Sequence, residues 1–71
     1  MTLGERIRSA REAKGWKIRH LAGALDTTES YISDVELDKV QPSGKRVLAI
    51  ATALDLTPND LLKNEIAEVA S

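Results

Sequence analysis

The chain contains no cysteine and only one histidine, His20. Without thiols, both a disulfide framework and a thiolate metal site are excluded, so the core has to hold by packing, and a reducing cytoplasm is a compatible compartment. A lone histidine also leaves metal ligation without a donor set. Catalysis lacks partners as well: His20 falls on the polar side of a short amphipathic segment beside Arg19, with no second histidine, cysteine or carboxylate triad to work with. A phosphate contact or plain solvation accounts for it better. No apolar run is long enough to span a bilayer, and residues 1–10 are charged rather than patterned as a signal peptide. Period-two alternation is missing, as are repeats and low-complexity tracts, which leaves a sheet without support. The stretch "SGK" at 43–45 lacks the upstream glycine and preceding strand of a phosphate loop. These absences point to one small soluble domain in residues 1–71 that is not an enzyme, needs no cofactor and does not enter a membrane.

What is present is helical punctuation. "TLGE" matches a capping box, with Thr2 accepting from the amide of residue 5 and Glu5 reaching back, and Leu3, Ile7 and Ala10 share a face behind it. This predicts helix 1 over 2–14, ended by Gly15. "KIRHLAGAL" predicts helix 2 over 17–25, with Ile18, Leu21, Ala22 and Leu25 inward. Asp26 and Thr27 turn the chain, and Thr28 caps helix 3 over 28–37, with Ile32 and Val35 inward. After Pro42, Ser43 caps helix 4 over 43–54, which buries Val47, Ile50, Ala51 and Leu54. "TPND" repeats the start signal, Thr57 as cap and Pro58 at the first helical position, for helix 5 over 57–68, which buries Leu61, Leu62 and Ile66. The expected fold is all-α, five short helices around one core.

Net charge is −1, which by itself argues against a strongly basic nucleic-acid binder. Its distribution is uneven. Residues 1–20 hold six Lys/Arg against two acids, a balance of +4, and the remainder balances at −5. Such asymmetry places a basic face on a near-neutral protein, or it reflects a solvated helix surface.

Two short helices joined by a three-to-four-residue turn in a domain of this size suggest a helix-turn-helix at helices 2 and 3. The residues "LGERIRSAREAKGW", "LAGAL", "TTESYISDVE", "K" with "QPS", and "VLAIATALDLTPNDLL" together resemble the lambda-repressor-like, Cro-type helix-turn-helix domains of the XRE family, in order from Leu3 to Leu62. The resemblance implies that helix 2 lies across the phosphate backbone of double-stranded DNA while helix 3 enters the major groove. Positions matching the family's base-reading sites are Thr28, Glu29, Ser30, Ser33 and Asp34. Lys17, Ile18 and Arg19 match the backbone-contacting start of helix 2, and Lys39 to Gln41 match a loop that touches phosphates. Arg11 and Glu36 match a structural salt bridge between helix 1 and the end of helix 3. The resemblance further implies a repressor-like transcription regulator, cytoplasmic, working as a homodimer on a palindromic operator.

Several positions depart from the family pattern. Ile18 stands where a glutamine is frequent, Asp26 replaces the turn glycine, and Asp38 replaces a glycine that ends helix 3. From Thr27 to Asp38 there is no Lys or Arg and there are four acids, Glu29, Asp34, Glu36 and Asp38. Two roles are open to Glu29 and Asp34: accepting from the exocyclic amine of cytosine, or solvated helix positions, Glu29 suiting the dipole in the first turn. Affinity then has to come chiefly from Lys17, Arg19, Lys39, Lys45 and Arg46, and binding should be modest and steeply salt-dependent. Tyr31 either donates its hydroxyl to a phosphate or packs beneath helix 3. Trp16 follows Gly15 as an apolar staple, a core position rather than a stacking platform. Leu56, Leu62, Ile66 and Val69 are candidates for a dimer seam, with core packing coming first. The competing reading is a protein-binding module of antitoxin or antirepressor type, in which an acidic helix 3 grips a basic protein partner.

Overall fold

The computed structural model describes residues 1–62. Helices α1 (Leu3–Ala13), α2 (Ile18–Ala24), α3 (Glu29–Glu36) and α4 (Gly44–Ala53) follow in order. A fifth helical segment, α5, occupies residues 58–62. The expected helix 5 beyond residue 62, with Ile66 and Val69, lies outside the described residues. No strand occurs among the described residues, and no helix there is long and apolar enough to cross a membrane.

Every helix start is closed by a side chain within three residues of it. Thr2 and Glu5 form the reciprocal box, Glu5 N donating to Thr2 Oγ1 (3.1 Å) and Thr2 N to Glu5 Oε1 (2.8 Å). Thr57 and Asp60 do the same for α5 at 3.2 and 2.9 Å. Thr28 accepts from Tyr31 N (3.1 Å) and Ser43 from Arg46 N (3.3 Å). At α2 the acceptor is His20, whose Nδ1 receives the Lys17 amide at 2.9 Å, so the neutral ring carries its proton on Nε2.

The helix ends share a second device. Gly15 (φ 76°), Asp26 (53°), Asp38 (61°) and Asp55 (61°) are left-handed residues one past the C-caps of α1 to α4. After each, the next amide reaches back five residues: Trp16 N to Arg11 O, Thr27 N to Ala22 O, Lys39 N to Asp34 O and Leu56 N to Ala51 O, at 2.7 to 3.1 Å. These are Schellman closures that satisfy otherwise orphaned carbonyls. Aspartate tolerates the left-handed region better than most residues, which is how Asp26 and Asp38 stand in for turn glycines.

The core comprises Ile7, Leu21, Ala22, Ile32, Val35, Val47, Ile50, Ala51, Leu54 and Leu61. Leu3, Ala10, Trp16, Ile18, Leu25, Tyr31 and Leu56 pack around it half-buried, so several positions expected to face fully inward form its rim instead. Each fully buried aliphatic side chain contributes roughly 1.5–3 kcal/mol by leaving water. Gly4 lets α1 cross the end of α3 at close range: a Cβ there would lie 2.5 Å from Val35 O and 2.6 Å from Glu36 O.

Candidate nucleic-acid interface

The α2–α3 unit is set by the turn through Asp26, the α2 closure from Thr27 and the Thr28 cap. With Ile32, Val35 and Glu36 buried, Glu29 and Ser30 are exposed in the first turn of α3, and Ser33 and Asp34 are half-buried. Thr28 is exposed as well. Its oxygen already accepts the Tyr31 amide, and its hydroxyl proton can still be donated. Ser33 also lines an open cleft of 220 Å³ with Arg8, Arg11, Ile18, Glu36 and Leu37, where α1, α2 and α3 meet.

The residues expected to contact phosphate divide by element. Lys17 and Arg19 are exposed on α2, Lys39 and Gln41 on the α3–α4 loop, and Lys45 on the first turn of α4. Arg46 is half-buried, its guanidinium carbon 5.2 Å from the centre of the Tyr31 ring. Tyr31 packs half-buried against the core.

The four acids of the α3 region separate into two kinds. Glu36 is 6% exposed and Arg11 7%. Arg11 Nε donates to Glu36 Oε2 at 2.7 Å and Nη2 to Oε1 at 3.0 Å, while Nη1 donates to the Trp16 carbonyl at 2.8 Å. The Glu36 hydrogen bond raises the Arg11 pKa above its ordinary value, outweighing the opposing effect of burial. Asp38 is turned the other way, onto the start of α1. Gly4 N donates to its Oδ1 (3.0 Å) and the Thr2 hydroxyl to its Oδ2 (2.5 Å), so a carboxylate sits where helical amides are unpaired. Glu29 and Asp34 have no hydrogen bond or ion pair among the described residues and remain on the outer side.

Three of these relationships were not visible in the sequence. The Asp38 clamp joins residues 34 and 36 positions apart. Lys14 bridges 41 positions to Asp55 at 2.6 Å while lying 5.0 Å from the Trp16 ring centre. The Arg46–Tyr31 contact likewise crosses between helices. Among the ion pairs of the described residues, the exposed Arg8–Glu12 pair (3.4 Å) carries a locally readable signal, its i,i+4 spacing. Trp16 is half-buried against the core, with His20 tilted beside it at 6.3 Å. Leu56 and Leu62 are half-buried. No cluster of potential metal ligands occurs among the described residues.

Known proteins share this fold. A family model described as helix-turn-helix matches residues 7–61. The HTH-type transcriptional regulator DdrOP3 of Deinococcus deserti is 33% identical over 63 residues, covering 89% of this chain and 49% of its own length. The chain thus spans about half the length of that relative. Among solved structures, the DNA-binding domain of the P22 C2 repressor superposes with a TM-score of 0.85 at 32% identity, over 89% of this chain and 83% of that domain. The restriction-modification controller protein C.AhdI of Aeromonas hydrophila superposes at 0.80 and 37%, over 83% and 89% of the two chains. With its α2–turn–α3 unit, its inward Arg11–Glu36 pair and a family match over most of its length, the chain belongs to the XRE-type helix-turn-helix family.

Proposed function

We propose that this chain binds double-stranded DNA sequence-specifically, as the DNA-reading part of a repressor-like transcription regulator in the cytoplasm. In this reading α2 lies across the backbone and α3 enters the major groove. Thr28, Glu29, Ser30, Ser33 and Asp34 face the bases. Lys17, Arg19, Lys39, Gln41, Lys45 and Arg46 engage phosphates, with Tyr31 beside them. A homodimer on a palindromic site, its half-sites about one helical turn apart, is the matching assembly. No step of this function is catalytic.

The observation that carries the proposal is the disposal of the acids. Glu36 is neutralised internally by Arg11 and Asp38 is turned onto the start of α1, so of the four acids only Glu29 and Asp34 are left without a structural partner among the described residues. The same fact weakens the reading of α3 as an acidic grip for a basic protein partner. Glu29 and Asp34 suit acceptance from the cytosine N4 amine, a pairing open to carboxylates in the major groove. The names of the transcriptional regulator DdrOP3 and of the P22 C2 repressor agree with this function.

Selection from a randomised duplex pool at low salt, followed by affinity for the winning site over a salt series, tests it. A palindrome containing G·C pairs, with affinity falling steeply as salt rises, is the expected result. A pool that stays random at low salt, while the protein is folded and dimeric, would overturn it.

A further inference from the structure

Among the described residues two cations lie over aromatic rings, and they differ in what else holds them. Lys14 is 5.0 Å from the Trp16 ring centre and is also bound to the Asp55 carboxylate at 2.6 Å. Arg46 is 5.2 Å from the Tyr31 ring centre, and among the described residues its guanidinium has no hydrogen bond or ion pair. Arg8 and Arg11, by contrast, are paired with Glu12 and Glu36. The Tyr31–Arg46 contact is therefore an open one, with the guanidinium held and its donors unoccupied by any described residue.

We propose that Tyr31 is a positioning residue whose ring, not its hydroxyl, holds the Arg46 guanidinium at the α3–α4 junction ready to fork a DNA backbone phosphate. The inference rests on the DNA-binding reading above and assigns roles within it. A ring attracts a cation through its face, whereas a guanidinium donates to phosphate oxygens from its edge. The two interactions use different parts of Arg46 and can coexist. The platform itself is fixed: Tyr31 packs against the core, and its amide is bonded to the Thr28 cap. Arg46 occupies the corresponding place on α4, its amide bonded to the Ser43 cap, so both backbones are set and the remaining freedom is in the arginine side chain. The ring restricts that freedom before DNA arrives, which lowers the ordering cost of the phosphate contact. Lysine would be a poorer occupant, being a point charge without a fork.

The test uses the full chain and the duplex selected above, with Y31F, Y31L, R46A, R46K and the Y31L/R46A double variant. Y31L is expected to weaken binding by about three-fold, the scale of an exposed cation–aromatic contact, and Y31F to restore most of that loss. In the R46A background Y31L should add no further loss, and R46A should flatten the salt slope by about one phosphate. Y31F as weak as Y31L would assign the role to the hydroxyl and overturn the proposal. So would an undiminished Y31L effect without Arg46. Nitrogen relaxation at Arg46 Nε in the DNA-free protein provides a readout independent of binding: its order parameter should fall in Y31L and hold in Y31F. If wild-type protein binds no duplex, the DNA reading fails on its own account, while an Arg46 order parameter unchanged by Y31L overturns the ring's hold on Arg46 separately. Should Y31L melt below the assay temperature, R46K decides: affinity equal to wild type removes the fork.

Discussion

The Arg11 guanidinium, rooted in α1, holds the Glu36 carboxylate at the end of α3 through two hydrogen bonds of 2.7 and 3.0 Å, with both side chains almost wholly buried. Removing one partner leaves the other charge without compensation, at a cost of roughly 3–5 kcal/mol. R11M should therefore lower the melting temperature by on the order of 12 °C or more. Replacing both, as R11M/E36L, should recover much of the loss, because an apolar pair leaves no buried charge. A single-variant melting point equal to wild type would remove the pair from the stability of the fold.

The same pair sets an alkaline expectation. The folded-state pKa of Arg11 is raised, so its contribution is complete below the unfolded value and is lost only as pH climbs through the folded one. That window lies far above neutrality. Melting temperatures measured from pH 7 to 9 should show no decline attributable to Arg11, and the R11M deficit should be constant across that range.

Asp38 ties the end of α3 to the start of α1 through Gly4 N and the Thr2 hydroxyl. D38A loses both acceptors and places alanine in the left-handed region, for a combined cost of about 2 kcal/mol. D38N keeps an acceptor oxygen and tolerates that backbone, so it should melt between D38A and wild type. Equal melting of D38A and wild type would show the clamp to be energetically silent.

Gly4 is required by space rather than by backbone angle. G4A would put a methyl 2.5 Å from the Val35 carbonyl, forcing α1 and α3 apart at a cost of about 1–3 kcal/mol. Amide shifts should move at residues 35–38 as well as around residue 4. A spectrum altered only near residue 4 would argue against that close crossing.

On duplex DNA, K17A/R19A should weaken binding almost equally for all sequences and reduce the salt slope by roughly one per lost phosphate contact. E29Q and S30A should instead change which bases are preferred, with melting temperatures near wild type. An unaltered salt slope in the first case, or unaltered preference in both of the second, would remove those residues from the interface.

The sequence by itself determined the helices, because caps and apolar spacing act over three or four residues. Thr2 with Glu5, Thr28, Ser43 and Thr57 with Asp60 all bond within that reach. The inward set of Ile7, Leu21, Ile32, Val35, Val47 and Ile50 follows from the same periodicity. Resemblance to a known family, not spacing, singled out Arg11 with Glu36. Only the tertiary structure decided that Asp38 closes α1, that Lys14 binds Asp55 and that Tyr31 carries Arg46. It also decided that Ile18 belongs to the rim of the core. These contacts join residues far apart in the chain, at or beside the ends of different helices, and no local pattern encodes the angle at which two helices cross. That angle follows from how the side chains of the whole core fit together, and it separates the acids with a structural partner from those left facing outward.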